Sequence, residues 1–174
     1  VFIAQESEWM GESWTEQTSL ASLRDAFVGW SPQLQEIIDA VEEPVYKWAL
    51  YDREPLATWC NVSVALLGDS AHPMLPFMAQ GACQAIEDAA VIARCLDGVQ
   101  PDTHAISRAL STYQSTRMER ATRVQAGSYM NRIVFHYPDG EEQVARDAMF
   151  GSDRWSSATD WVYEHDPLTT PLIL

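Results

Sequence analysis

The chain has 174 residues, enough for one domain with its own core, and 47% of them are apolar, as in globular proteins. Its 25 acidic residues outnumber its 11 basic ones, which gives a net charge of −14 at pH 7. Because nucleic acids and anionic membranes repel such a charge, the composition argues against both as partners. No apolar run approaches the roughly 20 residues that a membrane span needs.

The cysteines and histidines suggest neither disulfides nor a metal site. Cys83 and Cys95 fall on one predicted helix, about 18 Å apart at the helical rise, too far for a disulfide bond. We therefore expect reduced thiols and a cytoplasmic protein. Three histidines lie far apart without the spacing of metal ligands, so no metal is predicted: His104, His136 and His165.

The first 50 residues predict short strands around two helices. Residues 1–4 are apolar and predict an interior strand, and residues 20–27 have helical spacing that ends at Gly29. Ser31 and Pro32 predict the N-cap and first position of a second helix. Pro44 ends that helix, and residues 45–50 predict a strand that carries Trp48. The predicted apolar face of the second helix consists of Leu34, Ile37, Ile38 and Val41.

The following residues predict a strand, a loop and two helices. After a loop over residues 51–61, residues 62–67 are apolar on both faces, which is typical of a buried parallel strand. A helix is predicted from Gly81 to Leu96, and a long helix capped at residues 101–102 is predicted to continue to about Ile133. Residues 138–174 predict one short helix and an extended tail. The predicted inner face of the first helix is Ala85, Ala89, Ile92, Ala93 and Leu96, and the first face of the long helix is Ile106, Leu110 and Tyr113.

The predicted parallel strand has no parallel neighbour within the 174 residues. A parallel strand needs a sheet beside it, so we expect the rest of that sheet to come from elsewhere. The chain also begins as if within a strand, without an initiating Met. We therefore expect it to be part of a longer gene product.

The segment from Gly68 to Cys83 combines residue types that suit a ligand. Gly68 permits a tight turn where the chain leaves the strand, and Asp69 follows at the carboxyl end, where open α/β sheets bind ligands. A carboxylate there can accept hydrogen bonds from the hydroxyls of a sugar-like chain. The helix that starts at residues 80–83 offers free N–H groups and a positive dipole end to an anion or a carbonyl. The small residues 79, 81 and 82 would let a planar ring approach the backbone.

This segment resembles the second flavin-binding motif of class A flavoprotein monooxygenases. The resemblance is carried by residues 68–73, Pro76, residues 79–82 and residues 85–89. The flanks are similar to the salicylate hydroxylase and 6-hydroxynicotinate monooxygenase branch. They comprise residues 52–56, Trp59, Tyr113 and residues 117–120.

The resemblance implies an α/β fold, here an α+β fragment: the C-terminal part of a p-hydroxybenzoate hydroxylase-like FAD-binding fold. It also implies an enzyme that holds FAD, takes hydride from NAD(P)H and uses O2 to hydroxylate an aromatic acid or phenol, in some members with decarboxylation. The implied domains are the end of a substrate-binding domain over residues 1–57, the strand, loop and helix of the FAD-binding domain over 58–98, and a helical region with a tail over 99–174.

The resemblance also implies roles for single residues. Asp69 would bind the ribityl hydroxyl of FAD, and the N–H groups of Ala82 and Cys83 would hold the flavin O2. The remaining implied cofactor contacts are Gln80, Gly81 and Arg53, the last of which could instead brace the loop. The implied substrate contacts are Pro76, Phe77, Met78 and Trp48.

The roles of several residues in and beside the motif are not determined by the sequence. His72 is a weak candidate for a catalytic base, and a role in bracing the loop is favoured. Glu87 and Asp88 are adjacent on the helix and therefore point apart, so we interpret them as surface or hydrogen-bonding residues. Met78 and Ala79 stand where many members of the family have two glycines.

The sequence lacks the GxGxxG motif that holds the FAD pyrophosphate. The resemblance therefore implies that the N-terminal half of the same enzyme is a partner and that this chain alone is inactive; a homodimer is left open. Two alternatives remain: another FAD monooxygenase or epoxidase of the same superfamily, and a non-catalytic helical interaction module derived from such an enzyme.

Overall fold

The computed structural model describes residues 1–4, 13, 15–152 and 158–174. The chain divides into two compact units, Val1–Leu50 and Tyr51–Leu174. Among the described helices, none is both long and apolar enough to cross a membrane.

The first unit contains a two-stranded antiparallel sheet and two short helices. Strand β1 (Gln17–Thr18) pairs with strand β2 (Val45–Tyr46). Helices α1 (Leu20–Ala26) and α2 (Pro32–Asp39) lie between the strands in sequence. Serine side chains cap both helices, as Ser31 was predicted to do: Ser19 accepts from the Ser22 N–H at 3.1 Å and Ser31 from the Leu34 N–H at 3.4 Å.

Several predictions for this unit are wrong. Residues 1–4 form no strand, because no described strand lies beside them to exchange hydrogen bonds. The strand predicted over 45–50 is only two residues long, and its partner β1 was not predicted. Helix α2 ends at Asp39, which leaves Val41 outside it. Ile38 is fully buried while Ile37 is 58% exposed, so the apolar face is narrower than expected.

The second unit is built on two packed helices, α3 (Gly81–Leu96) and α4 (Thr103–Phe135). The predicted bounds of α3 are confirmed, and α4 continues two residues past Ile133. The Asp102 carboxylate caps α4 by accepting from the Ala105 N–H at 2.8 Å. The apolar core of the unit includes Trp59, Val91 and Tyr113.

The residues after α4 form helices α5 (Glu141–Phe150) and α6 (Asp160–Tyr163). Only one helix was predicted here, followed by an extended tail. The prediction of an extended tail is wrong at α6, which is helical. Arg94 on α3 holds the last residues by donating to the carbonyl oxygens of Pro167 at 2.6 Å and Thr170 at 2.9 Å. These bonds replace the regular backbone pairing that the tail lacks.

The segment 62–67 is not the buried parallel strand that its composition predicted. It makes one antiparallel bridge, between Ala65 and Cys60, with the Leu66 N–H donating to the Trp59 carbonyl at 2.8 Å. Val62 and Val64 are each 57% exposed. The physical reason is that a strand is completed by its neighbours, and no strand lies beside this segment in the described part of the chain.

The inner face predicted for α3 is also wrong. Ala89, Ala93 and Leu96 are exposed, and Ala85 and Ile92 are half-buried. The buried residues of α3 are Gln84, Glu87, Asp88, Val91 and Cys95. The apolar pattern predicted the wrong face because α4 presents arginines to α3. These arginines bind Glu87 and Asp88, so the face that carries the two acids is the buried one.

Candidate functional site

The turn at Gly68 is held by several independent contacts. Residues 68–70 form a short 3-10 helix in which Gly68 has φ +58°, a conformation that favours glycine. The Gly68 carbonyl accepts from the N–H groups of Ala71 at 2.8 Å and His72 at 2.9 Å. The Arg53 guanidinium donates to the Ser70 carbonyl on the outer side. The backbone around Asp69 is therefore fixed on both sides.

Asp69, the middle residue of this turn, is exposed. Its carboxylate has no hydrogen-bond partner among the residues that the structure describes. A Cβ placed on Gly81 would lie 4.0 Å from Asp69 Oδ1, so the carboxylate stands beside the first residue of α3. The turn thus presents a free acceptor next to a helix N-terminus.

The first turn of α3 is not capped by a side chain. Gln80 occupies the N-cap position without a side-chain cap, and the Gln84 N–H donates to the Gln80 carbonyl at 2.8 Å. The N–H groups of the preceding residues therefore have no intrahelical partner. Ala82 and Cys83 are exposed, so these donors are accessible to a ligand.

Ala79, the residue before Gln80, has a left-handed backbone with φ 52° and ψ 34°. It ends a short 3-10 helix, Pro76–Met78, and its N–H donates to the Pro76 carbonyl at 2.9 Å. Residues with a Cβ adopt this conformation at a cost of about 1–2 kcal/mol. Glycine would adopt the same backbone without this cost.

Two of the three loop residues predicted to bind substrate contact α4 or its C-terminal end. Phe77 makes edge contacts with Phe135 and His136, with ring centroids 6.1 and 5.5 Å apart. The Met78 side chain packs on Gly127, where an added Cβ would lie 2.5 Å from its Sδ. Pro76, Phe77 and Met78 also line an open cleft of about 300 Å³. The other lining residues are Ala79, Asn131, Phe135, Thr159, Val162 and Tyr163.

Charged and polar side chains that are buried or half-buried join α3 to α4 in what we call the ionic layer: Gln84, Glu87, Asp88, Arg117 and Arg120, with His72 from the loop. Arg117, 1% exposed, donates to Asp88 Oδ1 at 2.7 Å and to Glu87 Oε2 at 2.6 Å. Arg120 donates to both Glu87 oxygens, at 2.7 and 2.8 Å. Two carboxylates and two guanidinium groups therefore neutralise one another inside the fold.

The arginines keep both carboxylates ionised. Burial opposes ionisation of Asp88, but hydrogen bonds from His72, Arg117 and the Gly68 N–H outweigh it and lower the pKa of Asp88. Burial is likewise outweighed at Glu87, where the Arg120 hydrogen bond and the charges of both arginines lower its pKa. Burial and the charge of Asp88 raise the pKa of the Tyr113 hydroxyl, which donates to the Leu66 carbonyl at 3.0 Å.

His72 lies inside the ionic layer and is 1% exposed. Its Nε2 is 2.6 Å from Asp88 Oδ2, and its Nδ1 has no hydrogen-bond partner among the described residues. Since the carboxylate accepts, we assign the imidazole hydrogen to Nε2. This position is suited to bracing the loop, as Arg53 also does through Ser70.

The structure brings Asp69, Gly81 and the start of α3 together, while Trp48 belongs to the first unit and is 47% exposed. Sequence reasoning missed the ionic layer and placed Glu87 and Asp88 either on the surface or in hydrogen bonds. The surface alternative is wrong. A signal was present, because Tyr113, Arg117 and Arg120 repeat at helical spacing opposite the acids of α3.

Comparison with known proteins gives the family. Residues 43–128 match the family described as FAD binding domain. This segment belongs to that family. The chain is 47% identical over 164 residues to 6-hydroxynicotinate 3-monooxygenase of Pseudomonas fluorescens, covering 94% of this chain and 37% of the relative. It is 32% identical over 170 residues to salicylate hydroxylase of Pseudomonas putida, covering 95% and 38%.

A solved structure agrees with these relatives. A salicylate hydroxylase substrate complex superposes with a TM-score of 0.75 at 26% identity, covering 97% of this chain and 42% of that one. The expected relationship to class A flavoprotein monooxygenases is confirmed, as is the fold class, here mostly helical with little sheet. The chain spans less than two-fifths of the length of the two curated relatives.

Proposed function

We propose that this chain is part of an enzyme that hydroxylates an aromatic acid or phenol with FAD, NAD(P)H and O2. The observation that carries the proposal is the free Asp69 carboxylate beside the uncapped start of α3, in a segment of the FAD binding domain family. The two curated relatives described above are named for the hydroxylation of aromatic acids, which supports the substrate class.

The residues at this place fit a flavin. An exposed carboxylate without a partner suits a ribityl hydroxyl, which is a donor. Accessible N–H groups at a helix start suit the electron-rich carbonyl of the ring. Gly81 leaves room there, since an added Cβ would lie 3.9 Å from Met74 Cγ, its nearest neighbour outside the adjacent residues and the backbone of α3. We propose Asp69, Gln80, Gly81, Ala82 and Cys83 as the cofactor contacts, with Arg53 bracing the turn.

When bound, FAD would supply the redox chemistry between NAD(P)H and O2. In the net reaction, one oxygen atom of O2 enters the ring and the other leaves as water, while NAD(P)H is oxidised to NAD(P)+. The residues of this chain would orient the cofactor through Asp69 and stabilise negative charge on the ring through the α3 N–H groups. Pro76, Phe77 and Met78 are the proposed substrate contacts of the second unit, and no residue is assigned as a base. Trp48, in the first unit, stays a prediction from the sequence.

The chain supplies only part of such a site. It contains no GxGxxG segment, so residues outside it would hold the FAD pyrophosphate. We propose that residues 1–57 complete a substrate-binding domain and that residues 58–98 contribute the flavin segment. Residues 99–174 would form a C-terminal helical region that packs against this segment through α4.

The proposal is tested on the native protein, with any further sequence that it carries. We expect the purified protein to show the absorbance bands of bound flavin and to oxidise NADH or NADPH in the presence of one of a panel of aryl acids and phenols. Release of CO2 would show that hydroxylation is coupled to decarboxylation. A protein that holds no flavin and does not bind added FAD would contradict the proposal and favour a non-catalytic helical module.

Substitutions at the site make the test specific. Asp69→Ala should reduce flavin occupancy at least tenfold while the thermal midpoint of the flavin-free protein stays unchanged, because the carboxylate has no partner within the described chain. Gly81→Val should reduce it further, since a branched side chain would crowd the ring. Asp97→Ala is the matched control, an exposed aspartate at the opposite end of α3. Equal flavin occupancy in all three variants would exclude the assigned contacts.

A further inference from the structure

Asp88 receives hydrogen bonds from three separate parts of the fold. Its Oδ2 accepts from the Gly68 N–H at 2.9 Å and lies 2.6 Å from His72 Nε2. Its Oδ1 accepts from Arg117 Nε at 2.7 Å. All three partners and Asp88 itself are buried. One fully buried carboxylate therefore ties the Gly68 turn, the following loop and helix α4 to helix α3.

The contact with Gly68 matters because Gly68 determines where the next residue points. A Cβ placed on Gly68 would lie 3.1 Å from Ala85 Cβ, so the turn is seated directly on α3. With the Asp88 bond, the Gly68 N–H is satisfied in a place that water cannot reach. Losing that acceptor would leave a buried donor unpaired, which is unfavourable and would displace the turn.

Glu87 provides an internal comparison. It is the neighbouring carboxylate on α3, is also buried, and also binds Arg117. It accepts hydrogen bonds from Arg117, Arg120 and Gln84, and it makes none with the Gly68 turn. The two acids therefore share their structural surroundings and differ in their contact with the turn that carries Asp69.

We propose that Asp88 is a positioning residue for the cofactor: by holding the Gly68 N–H, it fixes the orientation of the Asp69 carboxylate and couples Arg117 on α4 to flavin binding. This inference rests on the proposed function, because it takes Asp69 to contact FAD. Asp88 is buried behind the turn and acts through Asp69.

The first measurement needs no flavin. Hydrogen exchange of the native protein without cofactor should be at least tenfold faster over residues 68–72 in Asp88→Asn than in Glu87→Gln, because the Gly68 N–H loses its charged acceptor. Should Asp88→Asn fail to fold, Asp88→Glu replaces it, since it keeps the charge but shifts the oxygens by one methylene. Equal exchange in the Asp88 and Glu87 variants would overturn the inference.

The second measurement is a double-mutant cycle on FAD affinity. Asp88→Asn should raise the dissociation constant of FAD at least tenfold, and Glu87→Gln should change it less than about threefold. In an Asp69→Ala background, Asp88→Asn should have almost no further effect, because it acts through Asp69. Additive effects of the two substitutions would overturn the inference and show that Asp88 has a structural role alone.

The cycle also separates the two proposals. A wild-type protein that binds FAD, together with an additive cycle, refutes the positioning role and leaves the proposed function standing. A wild-type protein that does not bind FAD overturns the proposed function and the cofactor role of Asp88 with it.

Discussion

The ionic layer and the Asp69 site both involve helix α3, but they differ in how their polar groups are satisfied. In the ionic layer, the oxygens of Glu87 and Asp88 accept from arginine, glutamine, histidine or backbone donors of this chain. At the start of α3, the Asp69 carboxylate and the first N–H groups have no such partners in the described residues. Buried polar groups are stabilised by partners within the fold, whereas exposed unpaired groups are available to a ligand. The first region should therefore control stability, and affect binding only through Asp88, whereas the second should control binding directly.

The largest effect should come from removing a partner of the ionic layer. Arg117→Ala leaves the two carboxylates of Glu87 and Asp88 without their shared cation, and we expect the free energy of unfolding to fall by about 3–5 kcal/mol. Urea denaturation of the variant and the wild type measures this difference in the free energy of unfolding. Arg108→Ala, an exposed arginine on the same helix, should change it by less than about 0.5 kcal/mol. Similar losses in both variants would show that the layer is not a stabilising unit.

Acid should weaken the ionic layer. The pKa values of Asp88 and Glu87 are lowered below their ordinary values of 3.8 and 4.5. Below about pH 4.5 the unfolded chain therefore binds protons before the folded one does, and stability should fall as the pH drops. Denaturation midpoints between about pH 6 and pH 3 should show a shallower slope for Glu87→Gln than for wild type. Glu119→Gln, on the exposed side of α4, should keep the wild-type slope.

The smallest effect concerns the backbone before α3. Ala79 has a left-handed conformation, so Ala79→Gly should stabilise the protein by about 1 kcal/mol. The same substitution at Ala93, an exposed position within α3, should destabilise it by about 1 kcal/mol. The thermal midpoints of the two variants should therefore move in opposite directions. A decrease at both positions would mean that Ala79 is not strained.

Local sequence signals predicted the features that depend on neighbouring residues. The cap at Asp102 and the apolar spacing gave the bounds of α3 and most of α4. The order of residues from Gly68 to Ala89 gave the family, because a turn glycine, an acid and small residues at a helix start belong to one motif. These features require few distant contacts.

The tertiary structure decided which faces are buried. The alanines and leucine of α3 predicted the wrong inner face, since burial depends on what α4 offers, and α4 offers Arg117 and Arg120. Residues 62–67 have the composition of a buried strand yet make a single bridge, because strand pairing requires a neighbouring strand. The sequence by itself determined the flavin motif and the longer helices, but not the four-residue helix α6. The packing of α3 on α4 decided that Asp88 holds the turn on which Asp69 is presented, because burying a charge is favourable only when its partners are already in place.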